Sequence, residues 1–119
     1  MYKRQILLGS LPIEENDNVY NRSLVVDSNG SIISKYDKIH MFDVILKNNE
    51  VYNESDTFTP GNKLKTFKVY DCLMGHSICY DLRFPKLYRA LAKKGAKIIV
   101  IPSAFTYTCL LYTSPSPRD

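Results

Sequence analysis

The stretch Gly75-His76-Ser77-Ile78-Cys79-Tyr80-Asp81-Leu82-Arg83-Phe84-Pro85 decides how this chain folds. An apolar run, residues 73–78, leads into a cysteine. Polar residues follow at once, and then a proline able to open a helix. The pattern predicts strand, tight turn and helix, with Cys79 at the turn. An α/β protein presents a nucleophile well in that place. The side chain stands at the carboxyl end of a strand, and the next backbone N–H groups point at what it attacks. Partial positive charge there also favours the thiolate. The alternative is a buried strand cysteine acting as a small hydrophobe, and position alone does not separate the two.

Downstream, residues 85–94 predict a helix. Pro85 suits its first turn, Leu87, Leu91, Tyr88 and Ala92 give an apolar face, Lys93 and Lys94 suit its last turn, and Gly95 suits its C-terminal cap. Residues 98–102 are a continuous apolar run closed by proline, the mark of a strand buried on both faces. Strand 73–79, helix 85–94 and strand 98–102 then form a βαβ unit with adjacent parallel strands. Upstream, residues 6–11 predict a buried strand and residues 14–18 a loop. Residues 21–27 and 31–36 predict a hairpin about the turn Asp27-Ser28-Asn29-Gly30. Residues 44–59 have no clear period and read as a long excursion. Residues 65–70 alternate and predict a strand.

The chain has 119 residues, enough for one small domain or part of a larger one, with an ordinary 45% hydrophobic and 24% charged residues. No apolar run approaches the roughly 18 residues of a membrane span, and no signal-peptide pattern opens the chain. Three cysteines without paired spacing argue against a disulfide framework and against a zinc site. They point to a reducing, cytoplasmic setting.

Both ends change character. Residues 109–119, CLLYTSPSPRD, back-translate without mismatch to a transposase adapter used in preparing sequencing libraries. Residues 1–5, MYKRQ, fit the opposite strand of the same adapter with GTG as start codon. We expect both segments to be adapter-derived and exclude them from functional reasoning, which leaves residues 6–108 as the natural segment. Losing the cations Lys3, Arg4 and Arg118 and the anion Asp119 takes the net charge from +4 to +2. The basic balance therefore gives no support to nucleic-acid binding.

KYDKIHMF (35–42), YNES (52–55), PG (60–61), ICYDLRFP (78–85) and GAKIIVIPSAF (95–105) together resemble the carbon–nitrogen hydrolase (nitrilase) superfamily in content, order and spacing. The resemblance spans residues 9–105. It looks most like the small-amidase branch that includes omega-amidase and deaminated glutathione amidase. It implies an α/β chain that is a fragment of a four-layer α-β-β-α sandwich, built into dimers or larger assemblies in the full-length protein.

The resemblance also implies a catalytic set. It places the nucleophile at Cys79, the lysine that holds charge and oxyanion at Lys38, a second glutamate at Glu54, and an oxyanion donor at the Tyr80 backbone N–H. The general-base glutamate precedes the region matched here, so the fragment itself is expected to be inactive. The implied reaction hydrolyses a small, non-peptide amide through a cysteine thioester and releases ammonia. It needs no cofactor and no metal. A thiolate splits one hard step into two, and a carboxylate takes the thiol proton and passes one to the departing ammonia.

Blander roles stay open for each residue. Lys38 can also be read as a solvated hairpin lysine and Glu54 as a loop acid. His40 reads as a packing residue near Lys38. Asp81 and Arg83 read as holding the turn and helix start by ion pairing. His76 departs from the family pattern, which is apolar there, and Cys72 reads as a bystander. Rival functions are a non-catalytic nitrilase-like binding module, a nitrilase or carbamoyl-amide hydrolase, and a cysteine peptidase. The peptidase would need a histidine partner in a recognised motif, and neither His40 nor His76 lies in one.

Overall fold

A computed structural model describes residues 4–105. Of the expected adapter-derived ends, residues 1–3 and 109–119 lie outside the described residues, while Arg4 and Gln5 are described and exposed. Among the described residues, strands β1 (Ile6–Glu15), β2 (Asn18–Val26) and β3 (Ile32–Asp37) form one antiparallel sheet in that order. Strands β4 (Asp43–Ile45) and β5 (Val51–Asn53) form a small hairpin, followed by a 3-10 turn at Glu54–Asp56. Strands β6 (Thr66–Val69), β7 (Cys72–His76) and β8 (Ile98–Val100) form a second sheet. Between β7 and β8 come a 3-10 helix, Cys79–Arg83, and helix α1 (Pro85–Lys93).

The expected βαβ unit is present. β7 and β8 are parallel, with Met74 opposite Ile98 and His76 opposite Val100. Leu87 and Leu91, one turn apart, are buried at 5% and 0% exposure, and Leu91 lies over Gly75. Gly95 takes φ +94° and its N–H returns to the Ala92 carbonyl at 2.9 Å, which closes the helix as a left-handed C-cap does. β8 is not buried on both faces as its composition suggests, and Ile98 is 51% exposed. Among the described residues β8 has β7 as its one neighbour in the sheet, and no layer closes over Ile98.

The first sheet lies against the face of the second that is turned away from α1. Successive residues of a strand point to opposite faces, so Gly75 meets α1 while His76 meets the first sheet. There the His76 ring stacks on Tyr36 at 5.7 Å between centroids, and its Nε2 is 2.9 Å from Ser34 Oγ. Sheet, sheet and helix are thus three successive layers. On the opposite face of the first sheet Ile6, Leu8 and Ile33 are exposed.

Two expectations change in detail. The loop over residues 14–18 is instead the end of a long hairpin, with β1 running to Glu15 and the turn made by Asn16 and Asp17 at φ +51° and +63°. Pro12 is tolerated inside β1 because β1 is an edge strand among the described residues. The excursion over residues 44–59 contains the β4–β5 hairpin, too short for an alternation of side chains to stand out.

Candidate active site

The site forms where β7 ends. After His76, Ser77 N–H donates to the Val100 carbonyl at 3.1 Å and Cys79 N–H to the Pro102 carbonyl at 2.9 Å. The chain therefore stays tied to the continuation of β8 while it turns. Cys79 takes φ +45°, a left-handed backbone that residues with a Cβ rarely adopt. It opens the 3-10 helix, and Tyr80 N–H is the next amide of that turn.

Lys38 comes from the other sheet. Its N–H extends the β2–β3 pairing by donating to the Asn21 carbonyl at 2.9 Å. Gly61 then locks the segment from behind. Its N–H donates to the Lys38 carbonyl at 2.9 Å, and a Cβ there would stand 2.3 Å from the Asp37 carbonyl oxygen. Only glycine fits that approach, which explains the Pro60-Gly61 turn physically.

The Lys38 ammonium is buried and pairs with the Glu54 carboxylate. The same Glu54 oxygen accepts Phe42 N–H at 2.8 Å, and the other accepts the Asn21 amide at 3.3 Å. Nearby, Ser55 N–H reaches Asp43 at 3.0 Å and, with the Ser55 hydroxyl, holds that carboxyl below its ordinary pKa. These bonds pin the 3-10 turn after β5 to the start of β4.

Cys79, Lys38, Glu54 and Tyr80 all line one cavity of about 630 Å³. The residues named from sequence are thus brought together, although Lys38 and Cys79 follow strands of different sheets. Its remaining wall includes Ser10, Asn21, Phe42, Arg83 and Ser103. Of these, sequence reasoning gave a role to Arg83 alone, in the turn and not in the cavity, while Phe42 and Ser103 lie within the motifs that carry the resemblance. Ser103 had a usable signal, since it follows the carboxyl end of a strand parallel to the nucleophile strand. Ser10 had none. It reaches the wall beside a bulge in β1, where pairing shifts between Leu8 and Leu11.

Two titratable rings lie behind the cavity. Burial, with the nearby Asp81 carboxylate, pushes the Tyr36 phenol far above its ordinary value. Burial lowers the His76 imidazole to about 4, so it is neutral at physiological pH. His40 does pack, its ring 3.7 Å from Phe84 and nearly parallel to it. Asp81 is wholly buried, and its bonds run to Tyr36, His40 and Ile78. Cys72 lies on β7 away from this cavity, with its thiol 3.9 Å from the Leu73 carbonyl. Among the described residues no His, Cys, Asp and Glu cluster could hold a metal ion. Among them, too, no helix is long and apolar enough to cross a membrane.

Fold and motif together define the class. The chain belongs to the carbon–nitrogen hydrolase family, whose model matches residues 2–116. It is 46% identical over 105 residues to deaminated glutathione amidase of Yersinia enterocolitica, covering 85% of this chain and 37% of that protein. It is 38% identical over 100 residues to human omega-amidase NIT2, covering 84% and 36%. The structure superposes on Saccharomyces cerevisiae Nit3, a member of branch 10 of the nitrilase superfamily, with a TM-score of 0.74 and 34% identity, covering 88% of this chain and 36% of that one. The chain thus spans a little over a third of the length of these relatives. The layers described above are part of the nitrilase-like α-β-β-α sandwich.

Proposed function

We propose that the complete protein is an amidase that hydrolyses the carbon–nitrogen bond of a small, non-peptide amide and releases ammonia. The observation that carries this reading is the left-handed backbone of Cys79 at the mouth of a cavity shared with the buried Lys38–Glu54 pair. A non-glycine residue held at positive φ costs about 1–3 kcal/mol, and such strain gathers at functional sites. A cysteine serving only as core filler has no need of it.

In this reading Cys79 Sγ attacks the amide carbonyl. The Lys38 ammonium and Tyr80 N–H stabilise the tetrahedral oxyanion, each donor worth roughly 3–4 kcal/mol in comparable sites. The thiol proton passes to a general-base carboxylate and on to the departing ammonia. The thioester left on Cys79 is then opened by water, giving a carboxylic acid and the free thiol. Glu54 holds Lys38 in place through the ion pair and its anchor on Phe42 N–H.

The relatives named omega-amidase and deaminated glutathione amidase support a small amide as substrate. The same reading makes the complete protein a cytoplasmic homo-oligomer, in its simplest form a dimer. The test is Cys79→Ala in the complete protein, measured by ammonia release. We expect loss of turnover with the fold intact. Retention of even about a tenth of wild-type turnover would remove Cys79 as nucleophile, since no second step could replace the thioester.

A further inference from the structure

We propose that Asp81 is a positioning residue that sets where Lys38 stands relative to Cys79. Asp81 is wholly buried, two residues after Cys79. Its carboxylate joins two segments that run out of strands of different sheets. From the nucleophile turn, Ile78 N–H donates to Oδ2 at 3.0 Å. From the lysine segment, the Tyr36 hydroxyl donates to Oδ2 at 2.5 Å. Beyond the lysine, His40 N–H donates to Oδ1 at 3.0 Å, and His40 Nδ1 lies 2.7 Å from the same oxygen.

The three lysine-side contacts come from two residues that bracket Lys38, Tyr36 two positions before it and His40 two after. One rigid carboxylate therefore fixes both ends of the segment that carries the ammonium, and fixes them to the residue that precedes Cys79. The His40 ring lies flat on Phe84, at the far end of the same turn, so it cannot swing away from Asp81. Gly61 closes the other side of the segment against Asp37 and Lys38. Asp81 lies outside the cavity wall, so its effect on chemistry must pass through the groups it holds. A methylene more would move the carboxylate off at least one donor. Loss of the Tyr36 hydroxyl would free one end of the segment.

The inference rests on the role proposed for Lys38, and its test separates the two. Tyr36→Phe and Asp81→Glu both keep the buried charge. Each is made in the complete protein, alone and together with Lys38→Met. Alkylation of Cys79 by iodoacetamide is followed against pH, with the Cys79 peptide quantified by mass spectrometry so that Cys72 does not contribute. Lys38→Met alone should move the profile upward by about one pH unit or more, as loss of an adjacent cation does. Tyr36→Phe and Asp81→Glu should each move it the same way by a smaller amount. Neither should add a further shift in the Lys38→Met background, because displacement of an absent ammonium has no effect. Equal shifts with and without Lys38, or no shift from either single variant, would overturn the inference alone. An unmoved profile in Lys38→Met would overturn the role of Lys38 and this inference with it. If Asp81→Glu does not fold, the milder Tyr36→Phe carries the same comparison.

Discussion

Lys38 and Glu54 pair in a place nearly closed to water, their side chains 3% and 14% exposed. An exposed pair of this kind is worth little. A closed one leaves an uncompensated charge when either partner is removed. Glu54→Gln keeps the shape and can still accept from Phe42 N–H, but it leaves the Lys38 ammonium without a counter-charge. We expect a stability loss of about 3 kcal/mol, the low side for a buried pair because Glu54 retains some contact with solvent. Turnover should fall with it, since Lys38 loses its anchor. Denaturant midpoints and ammonia release in the complete protein check both. A wild-type midpoint would mean that Glu54 is an ordinary loop acid.

The βαβ unit was readable because each part carries a local physical mark. Pro85 opens a helix, Gly95 closes one, and the apolar run after it needs a sheet. Cys79 at the turn followed from the same marks. What local pattern could not supply was the meeting of Lys38 with Cys79, which depends on how one sheet lies on another. The motif resemblance gave it, and the Asp81 and Gly61 contacts give it a physical cause. The end of β1 was misread for a related reason. Pro12 and the polar residues after it suit a loop in isolation, and only the edge position makes them a strand.

We propose that residues 1–5 and 109–119 are encoded by adapter, and the source nucleotides decide it. The codons for CLLYTSPSPRD and MYKRQ should match the adapter base for base. Codons that differ at several positions would return both segments to the natural protein, although the same residues would still be encoded.

His76 gives a pH dependence of known sign. Its imidazole is held at about 4 in the fold by burial, against 6.5 for the ordinary group. The folded state therefore binds fewer protons than the unfolded state between those values. Stability from this group is complete above pH ~6.5 and is lost as the pH falls toward ~4, by on the order of 3 kcal/mol in all. His76→Phe keeps a ring between Tyr36 and Phe67 and removes the titration. The carboxylates Glu15 and Asp43, whose pKa values are also lowered, remain in both proteins and cancel in the comparison. The difference in midpoint denaturant between variant and wild type should thus grow in favour of His76→Phe as the pH falls through that window. Parallel curves would mean that the ring is reached by water.

The backbone of Cys79 makes a prediction independent of chemistry. At φ +45° a residue with a Cβ is strained by roughly 1–2 kcal/mol, and Ala carries the same Cβ as Cys. Gly carries none and takes that conformation freely. It also widens the unfolded ensemble, which offsets about 0.4–1 kcal/mol of the gain. Cys79→Gly should therefore be more stable than Cys79→Ala by about 0.5–1 kcal/mol, and both should be inactive. Two denaturation curves on the complete protein measure the difference directly. The order of the two variants matters more than its size. If Ala is the more stable, the turn relaxes to an ordinary backbone in solution, and the strain that marks Cys79 as a nucleophile is not there.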